Sequence, residues 1–255
     1  MSRKVMVFDT ETTGTFSKPF CYNVGWVIAE MKENGVFHIL EEKEFMVRQV
    51  WYNTMLFSTA YYADKKDLYH ERIRQHFIEV KRFDELVDII QKSIEYHNVE
   101  IAYAYNSPFD VKVFQFMTDW FKTPNPFAEI PVYDIRAYFM DAVKDSDFFK
   151  VFCEENELFT DTGNYSTTAE TAYKFLSHST TFEEEHTALA DSHIELEILG
   201  YCLSEKVDIF QEMEAPRSLP RLVEKVFTIA YKDKEYKFKG LTARWYKKNN
   251  KLIIK

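Results

Sequence analysis

The sequence has few cysteines and no long apolar run. Its 255 residues include three cysteines, Cys21, Cys153 and Cys202, none of which forms a CxxC pair. An odd number at these spacings argues against a disulfide framework and a zinc ribbon, and it favours a reducing compartment. The apolar run from Val5 to Phe8 is too short for a signal peptide, and no segment approaches the roughly 18 apolar residues of a membrane span. We therefore expect a soluble, cytoplasmic protein.

Positive charge is scarce over most of the chain. The net charge of −9 argues against a polyanionic partner. Residues 231–255, however, contain nine Lys and Arg against Asp233 and Glu235, so this segment carries +7 and the rest of the chain −16. Two interpretations of the segment stay open: a solvated polar face on a small sheet, or a surface that contacts phosphates.

The composition and periodicity of the chain predict an α/β protein. With 46% hydrophobic and 17% aromatic residues, it can bury a sizeable core as one domain with additions or as two small domains. Residues 3–9, 24–31 and 36–47 are predicted strands, the last two joined through an Asn-Gly hairpin signal in "KENG". Apolar residues at helical spacing predict a helix over 83–97, and a strand follows over 99–105. Further predicted helices are 109–121, 134–144, 148–157, 167–177 and 188–204.

Two acids close to the first strand suggest a cation site. Asp9 and Glu11 in "FDTETTG" are two residues apart, which in a strand places both side chains on one face. Two carboxylates held together repel each other unless positive charge lies between them. A divalent cation is therefore the expected ligand.

Two later segments add candidate ligands. Asp110 in "NSPFD" follows the 99–105 strand in the first turn of a helix, where it either complements the helix dipole or reaches the same site. In "HTALAD", His186 precedes Asp191 by five positions, which leaves the histidine on the loop before the last helix. A lone histidine at such a place is more often a surface or capping residue.

Taken in order, "FDTETTG", "NSPFD" and "HTALAD" resemble the three motifs of the DEDDh group of DnaQ-like 3′–5′ exonucleases, which share a ribonuclease H-like fold. The resemblance covers about residues 3–205. It implies a ribonuclease H-like mixed sheet flanked by helices in an exonuclease domain over 1–205. A C-terminal extension over 206–255, basic in 231–255 and expected to be a small β structure, lies outside it.

The resemblance also implies a site. It implies that four acids bind two divalent cations, Mg²⁺ or Mn²⁺: Asp9, Glu11, Asp110 and Asp191. It implies that His186 is the general base. It also implies substrate contacts at two pairs of residues, Thr12 with Thr13 and Asn106 with Phe109. Four carboxylates suit hard cations and would be a poor zinc set. Phe109 is equally compatible with the core.

The implied activity is hydrolysis of terminal phosphodiesters from a 3′ end, releasing nucleoside 5′-monophosphates. DNA is the first expected substrate, and an RNA exonuclease or oligoribonuclease-like activity is the alternative. A non-catalytic nucleic-acid-binding module is a further alternative, disfavoured because all five positions are present. The implied partner is nucleic acid, with a polymerase or a replication or repair protein as a further expected partner, and no membrane.

Other residues compete for roles in this site. Asp134 caps the next helix or contributes to the site, and the first role is favoured. Residues 50–80 have no clear period and are interpreted as an insertion or a lid. Their aromatic residues either stack on bases or pack in the core, and the core is favoured: Trp51, Tyr52, Phe57, Tyr61 and Tyr62.

Overall fold

A computed structural model describes residues 3–15, 17–32, 35–221, 223–231 and 234–242, with side chains described through residue 221. Its main sheet contains six strands in the order β4-β3-β2-β1-β5-β6. Their bounds are β1 Arg3–Thr15, β2 Lys18–Met31, β3 Phe37–Val47, β4 Glu79–Lys81, β5 Ile101–Ala104 and β6 Val132–Asp134.

The sheet is mixed. β1, β2 and β3 form an antiparallel meander, whereas β5 pairs parallel to β1, β6 parallel to β5 and β4 parallel to β3. The three initial strands and the antiparallel pairing of β2 with β3 are therefore confirmed, as is the mixed α/β class, whereas residues 33–34 of the predicted Asn-Gly turn lie outside the described residues. The first strand is longer than predicted, because β2 pairs with it as far as Thr15 opposite Lys18, whereas its pairing with β5 ends at Val7 opposite Tyr103.

Helices lie on both faces of the sheet. The long ones begin and end within about two residues of their predicted bounds: α4 Phe83–His97, α5 Pro108–Phe121, α6 Ile135–Val143, α7 Asp147–Glu155, α8 Ala169–Ser177 and α9 Ala188–Ser204. The segment without a clear period is a set of short elements: α1 Arg48–Trp51, α2 Thr54–Phe57, a 3₁₀ turn Ala63–Lys65 and α3 Lys66–Arg74, before β4. No helix among the described residues is long and apolar enough to span a bilayer.

Two cores follow from the alternation of side chains along β1. Met6 and Phe8 pack on one face with α4 and α5, whereas Val5 and Val7 pack on the other face with α6 and α9. The chain still contributes to the second core beyond α9, since Ile209 is fully buried there and its carbonyl accepts a hydrogen bond from Tyr103 Oη at 2.7 Å.

A separate two-stranded antiparallel sheet pairs β7 Val223–Tyr231 with β8 Lys234–Thr242. This sheet supplies part of the β structure that was expected for the C-terminal extension, over residues 223–231 and 234–242. Most of the basic segment 231–255, including residues 232–233 and 243–255, lies outside the described residues, as does the turn predicted at residues 249–250.

Candidate metal centre

Asp9 and Glu11 stand where β1 leaves the parallel part of the sheet. The same alternation that sends Val5 and Val7 toward α9 directs Asp9 and Glu11 to that face, just past the last residue paired with β5. Antiparallel pairing with β2 continues through both acids, opposite Gly25 and Asn23. The prediction that both acids share a face agrees with this register, although they lie within the strand rather than at its end.

Asp110 reaches the site from the other face. It is the third residue of α5, it is 2% exposed, and its Oδ1 accepts a hydrogen bond of 2.6 Å from Thr10 Oγ1. Thr10 follows Phe8 on the α5 face of β1, which explains why it meets α5 and not α9. The placement of Asp110 in the first turn of α5 is confirmed.

A glycine in β2 allows α9 to approach the sheet. A Cβ on Gly25 would lie 2.2 Å from Leu189 N and 2.4 Å from Ala188 C, so the first turn of α9 rests directly on the strand opposite Asp9. Asn23 Oδ1 accepts a hydrogen bond from Ala188 N at 2.9 Å. Asp191, one turn into α9, is thereby brought to the acids of β1.

Glu11, His186 and Asp191 form a compact cluster. Each offers one ligand atom, and these atoms lie within 4.8 Å of one another. Asp9 and Asp110 are outside this cluster but are electrostatically coupled to it. The structure therefore brings together the residues of all three motifs.

His186 lies on the loop before α9, as predicted, and has two side-chain neighbours. Its ring stacks on Tyr62 at a centroid distance of 4.1 Å, with Nε2 3.1 Å from Tyr62 Oη. On the other side, its Nδ1 lies 3.5 Å from Glu184 Oε2. The histidine is half-buried and contacts other residues on both sides of its ring.

Burial and repulsion between carboxylates raise the pKa values of the four acids. Burial, with repulsion from Asp9 and Glu184, raises the pKa of Asp191 to about 9, and burial raises the pKa of Asp110 to about 7. Burial and neighbouring carboxylates also raise the pKa values of Asp9 and Glu11 well above their usual range. Groups in this state hold protons at neutral pH unless another positive charge replaces them.

The donor set fits hard divalent cations. Carboxylate oxygens and one imidazole nitrogen converge, and the buried Oδ1 of Asp191 has no hydrogen-bond partner among the described residues. The Nζ of Lys65 is the cation that most consistently opposes the acids, lowering the pKa values of Glu11 and Asp191, but it contributes a single charge. An acid cluster with an unsatisfied buried oxygen is what a cation would complete.

The predicted substrate contacts occupy different environments. Thr13 is 2% exposed and its buried Oγ1 has no hydrogen-bond partner among the described residues, whereas Thr12 beside it is half-buried. Asn106 is exposed with φ +60°, and its backbone N–H donates to Asp134 Oδ1 at 2.8 Å. Phe109 is half-buried and packs against the first core. A substrate role for these four residues stays a prediction.

The contacts of Asp134 and of the aromatic residues bear on two open alternatives. Asp134 caps α6, since its Oδ1 accepts a hydrogen bond from Arg136 N at 2.9 Å. The aromatic residues divide into three groups. Trp51 and Phe57 are core residues, Tyr52 and Tyr61 are exposed, and Tyr62 is the residue that stacks on His186.

Two acids were missed by sequence reasoning. Glu195 is 3% exposed, accepts a hydrogen bond from Tyr105 N at 3.1 Å, and has its pKa raised by burial and by Asp9, Asp110 and Asp191. Its signal was present, because it follows Asp191 by four residues on the same side of a helix. Glu184, whose pKa burial raises to about 7, was hidden among the acids before His186.

Comparisons with known proteins give little guidance. No family model matches the chain, and no curated protein matches it. A solved structure described as "Structural characterization of the Ppx/GppA protein family: crystal structure of the Aquifex aeolicus family member" is similar over 84% of this chain and 92% of that chain, with 10% identity and a TM-score of 0.30. A similarity this low does not place the chain in that family.

The exonuclease expectation is corrected at this point. No comparison supports the expected release of nucleoside 5′-monophosphates from the 3′ ends of DNA, or of RNA, and the solved structure that matches is described as a Ppx/GppA family member, so this activity is not proposed. The function is therefore argued from the chemistry of the cluster of Glu11, His186 and Asp191.

Proposed function

We propose that this protein is a divalent-cation-dependent hydrolase of phosphate esters. The observation that carries the proposal is the cluster of Glu11, Asp191 and His186, beside which two further acids, Asp9 and Asp110, act through their charges. Acids gathered so closely destabilise the protein unless they bind positive charge, so their arrangement suggests a function rather than a structural role.

The fold part of the proposal is a ribonuclease H-like sheet with a DEDDh-type arrangement of ligands. Its support is the strand order, in which an antiparallel meander of β3, β2 and β1 continues into the parallel strands β5 and β6. The acids come from β1, from the first turn of α5 and from the first turn of α9, in the order of the three motifs.

The chain's own residues would perform distinct tasks. Asp9, Glu11, Asp110 and Asp191 would hold Mg²⁺ or Mn²⁺, which when bound would supply positive charge to the phosphate oxygens. His186 would accept a proton from the attacking water as the P–O bond to the leaving alcohol breaks. Burial and Lys65 lower the pKa of His186, which keeps the imidazole neutral and able to accept that proton at pH 7.

Cation binding and turnover test this proposal together. Isothermal titration with Mn²⁺ and hydrolysis of bis(4-nitrophenyl) phosphate, with 4-nitrophenyl phosphate beside it, measure affinity and distinguish diester from monoester chemistry. Asp9→Asn should lose at least tenfold in kcat, and Asp119→Asn, at an exposed acid on the outer side of α5, is the matched control.

The outcomes separate the possibilities. Turnover that requires Mg²⁺ or Mn²⁺, stops with EDTA and fails in Asp9→Asn supports the proposal. Mn²⁺ binding without turnover of either ester would favour the non-catalytic module. Turnover that survives EDTA and Asp9→Asn would overturn the metal centre.

A further inference from the structure

The loop that carries His186 is held by a segment far away in the chain. We call residues 62–72, from the end of the loop after α2 to the last turn of α3, the clamp segment. Lys65 Nζ donates to the carbonyl of Glu185, and Arg72 Nη1 lies 2.9 Å from Glu185 Oε1. With Tyr62 stacked on His186, the clamp segment contacts consecutive residues of the loop.

The loop does not hold itself. Among the described residues, positions 183–186 make no backbone–backbone hydrogen bonds, so side chains from elsewhere fix their path. His186 has φ +50°, a left-handed conformation that a residue other than glycine keeps only when its surroundings impose it. The orientation of His186 therefore depends on its neighbours.

Arg72 is the centre of these contacts. Its Nη2 binds Glu44 Oε2 at 2.8 Å, and the side chain of Glu44 is fully buried in β3. Its Nη1 faces Glu185 at 2.9 Å and Thr187 Oγ1 at 3.3 Å. Since the guanidinium group is planar and rigid, it fixes Glu185 and Thr187, on either side of His186, relative to the sheet.

A buried tyrosine adds a second connection. Tyr69 Oη lies 3.2 Å from Asn23 Oδ1 and 3.3 Å from the carbonyl oxygen of His186, and its side chain is fully buried. Asn23 Oδ1 also accepts the hydrogen bond from Ala188 N. The backbone of His186 is thus tied to the strand that pairs with Glu11.

We propose that the clamp segment positions His186 toward Glu11 and Asp191, with Arg72 as the positioning residue. Neither Arg72 nor its helix contributes to the acid cluster, so its effect is exerted through the loop. The catalytic consequence rests on the proposed function, whereas the positioning of the loop can be measured without it.

The test compares two arginines of α3 in the full chain. Arg72→Met removes the contacts to Glu44, Glu185 and Thr187 while keeping an unbranched apolar side chain in place of the aliphatic part of arginine. Arg74→Met is the matched control, because Arg74 is 73% exposed and its ion pair among the described residues is with Glu71 of its own helix. Backbone order parameters of residues 183–187 are measured by ¹⁵N relaxation, together with kcat and KM for bis(4-nitrophenyl) phosphate.

In Arg72→Met we expect the order parameters at 183–187 to fall from about 0.85 to below about 0.6 and kcat to be at least tenfold lower, with KM within twofold. Arg72→Lys, which retains the charge, should recover part of both, and Arg74→Met should resemble wild type. If loss of the buried partner of Glu44 unfolds the single variant, the double variant Arg72→Met with Glu44→Gln removes the unpaired charge and must show the same two effects.

Two results would overturn the inference. One is unchanged order parameters at 183–187 in the folded variants. The other is lower order parameters with unchanged kcat in a protein whose wild type is active. If the wild type hydrolyses neither ester, the proposed function fails, and the relaxation measurement alone decides whether the clamp segment holds the loop.

Discussion

The close approach of α9 to β2 makes Gly25→Ala the sharpest test of how the fold builds the site. The added methyl would lie 2.2 Å from Leu189 N, whereas ordinary contact begins at 3.4 Å, so the start of α9 must move by about 1.2 Å. The obstructing atoms are backbone, which cannot turn aside as a flexible side chain can. This movement of α9 increases the distance between Asp191, which lies in α9, and Asp9, which lies in β1 opposite Gly25.

The expected losses follow from this displacement. Overpacking of this kind typically costs ~1–3 kcal/mol of unfolding free energy, and a misplacement of about 1 Å in a reactive site costs ~100-fold in rate. Metal–ligand distances tolerate only about 0.2 Å, so Mn²⁺ affinity should fall at least tenfold. Chemical denaturation, Mn²⁺ titration and diester hydrolysis measure the three quantities.

Gly200→Ala is the matched control. Gly200 also lies in α9 and faces a strand, β3, but its added methyl would lie 3.8 Å from Phe37 Cδ2, an ordinary van der Waals contact. Alanine in the middle of α9 should stabilise the protein by roughly 0.4–1 kcal/mol. Retention of wild-type Mn²⁺ affinity and turnover in a folded Gly25→Ala protein would refute the argument that this glycine sets the position of Asp191.

Three further predictions concern charge. The pKa of Asp191 is raised to about 9, so its contribution to the free energy of unfolding is fully present below its unfolded pKa of about 3.9 and is lost as the pH rises toward 9. The metal-free protein should therefore melt at a lower temperature at pH 8 than at pH 5.5, and Asp191→Asn should reduce this difference in melting temperature. An equal difference in both proteins would contradict the prediction. His186→Ala should lower kcat by ~10²–10⁴-fold and remove the acidic limb of the pH–rate profile with little loss of Mn²⁺ affinity; retention of rate and limb would exclude it as the base. For the predicted nucleic-acid partner, deletion of 231–255 in the Asp9→Asn background should weaken binding of a labelled oligonucleotide, measured by fluorescence anisotropy. The slope of log binding constant against log salt concentration should fall by about 0.7 per lost phosphate contact. An unchanged slope would place binding elsewhere on the protein.

Periodic segments of the sequence predict the fold well. The helix over 83–97 was found with those bounds, because Phe83, Leu86, Val87 and Ile90 repeat at helical spacing over about two turns. Between β3 and β4 the elements are three to nine residues long, too short for a period to emerge, and their order came only from the structure. The clamp segment therefore could not be foreseen.

The candidate site was predictable in its residues but not in its supports. Asp9, Glu11, Asp110 and Asp191 were found because local spacing and the order of three motifs mark them. The role of Gly25 depends on a contact 164 positions away, with Leu189, which no local pattern encodes. The contacts of Arg72 and Tyr62 with the His186 loop likewise join residues 113 and 124 positions apart in sequence.

The alternation along β1 has a consequence for cooperativity. Thr10 joins Asp110 and α5 to one side of the sheet, while Asp9 and Glu11 face α9 on the other, so the acids are attached to two different hydrophobic cores. Ions bound at their meeting point would link the two layers of helices through the edge of the sheet. With the ions removed, repulsion acts at that junction, and the layers on the two faces become free to open as separate units, with different amide protection, before the whole molecule unfolds.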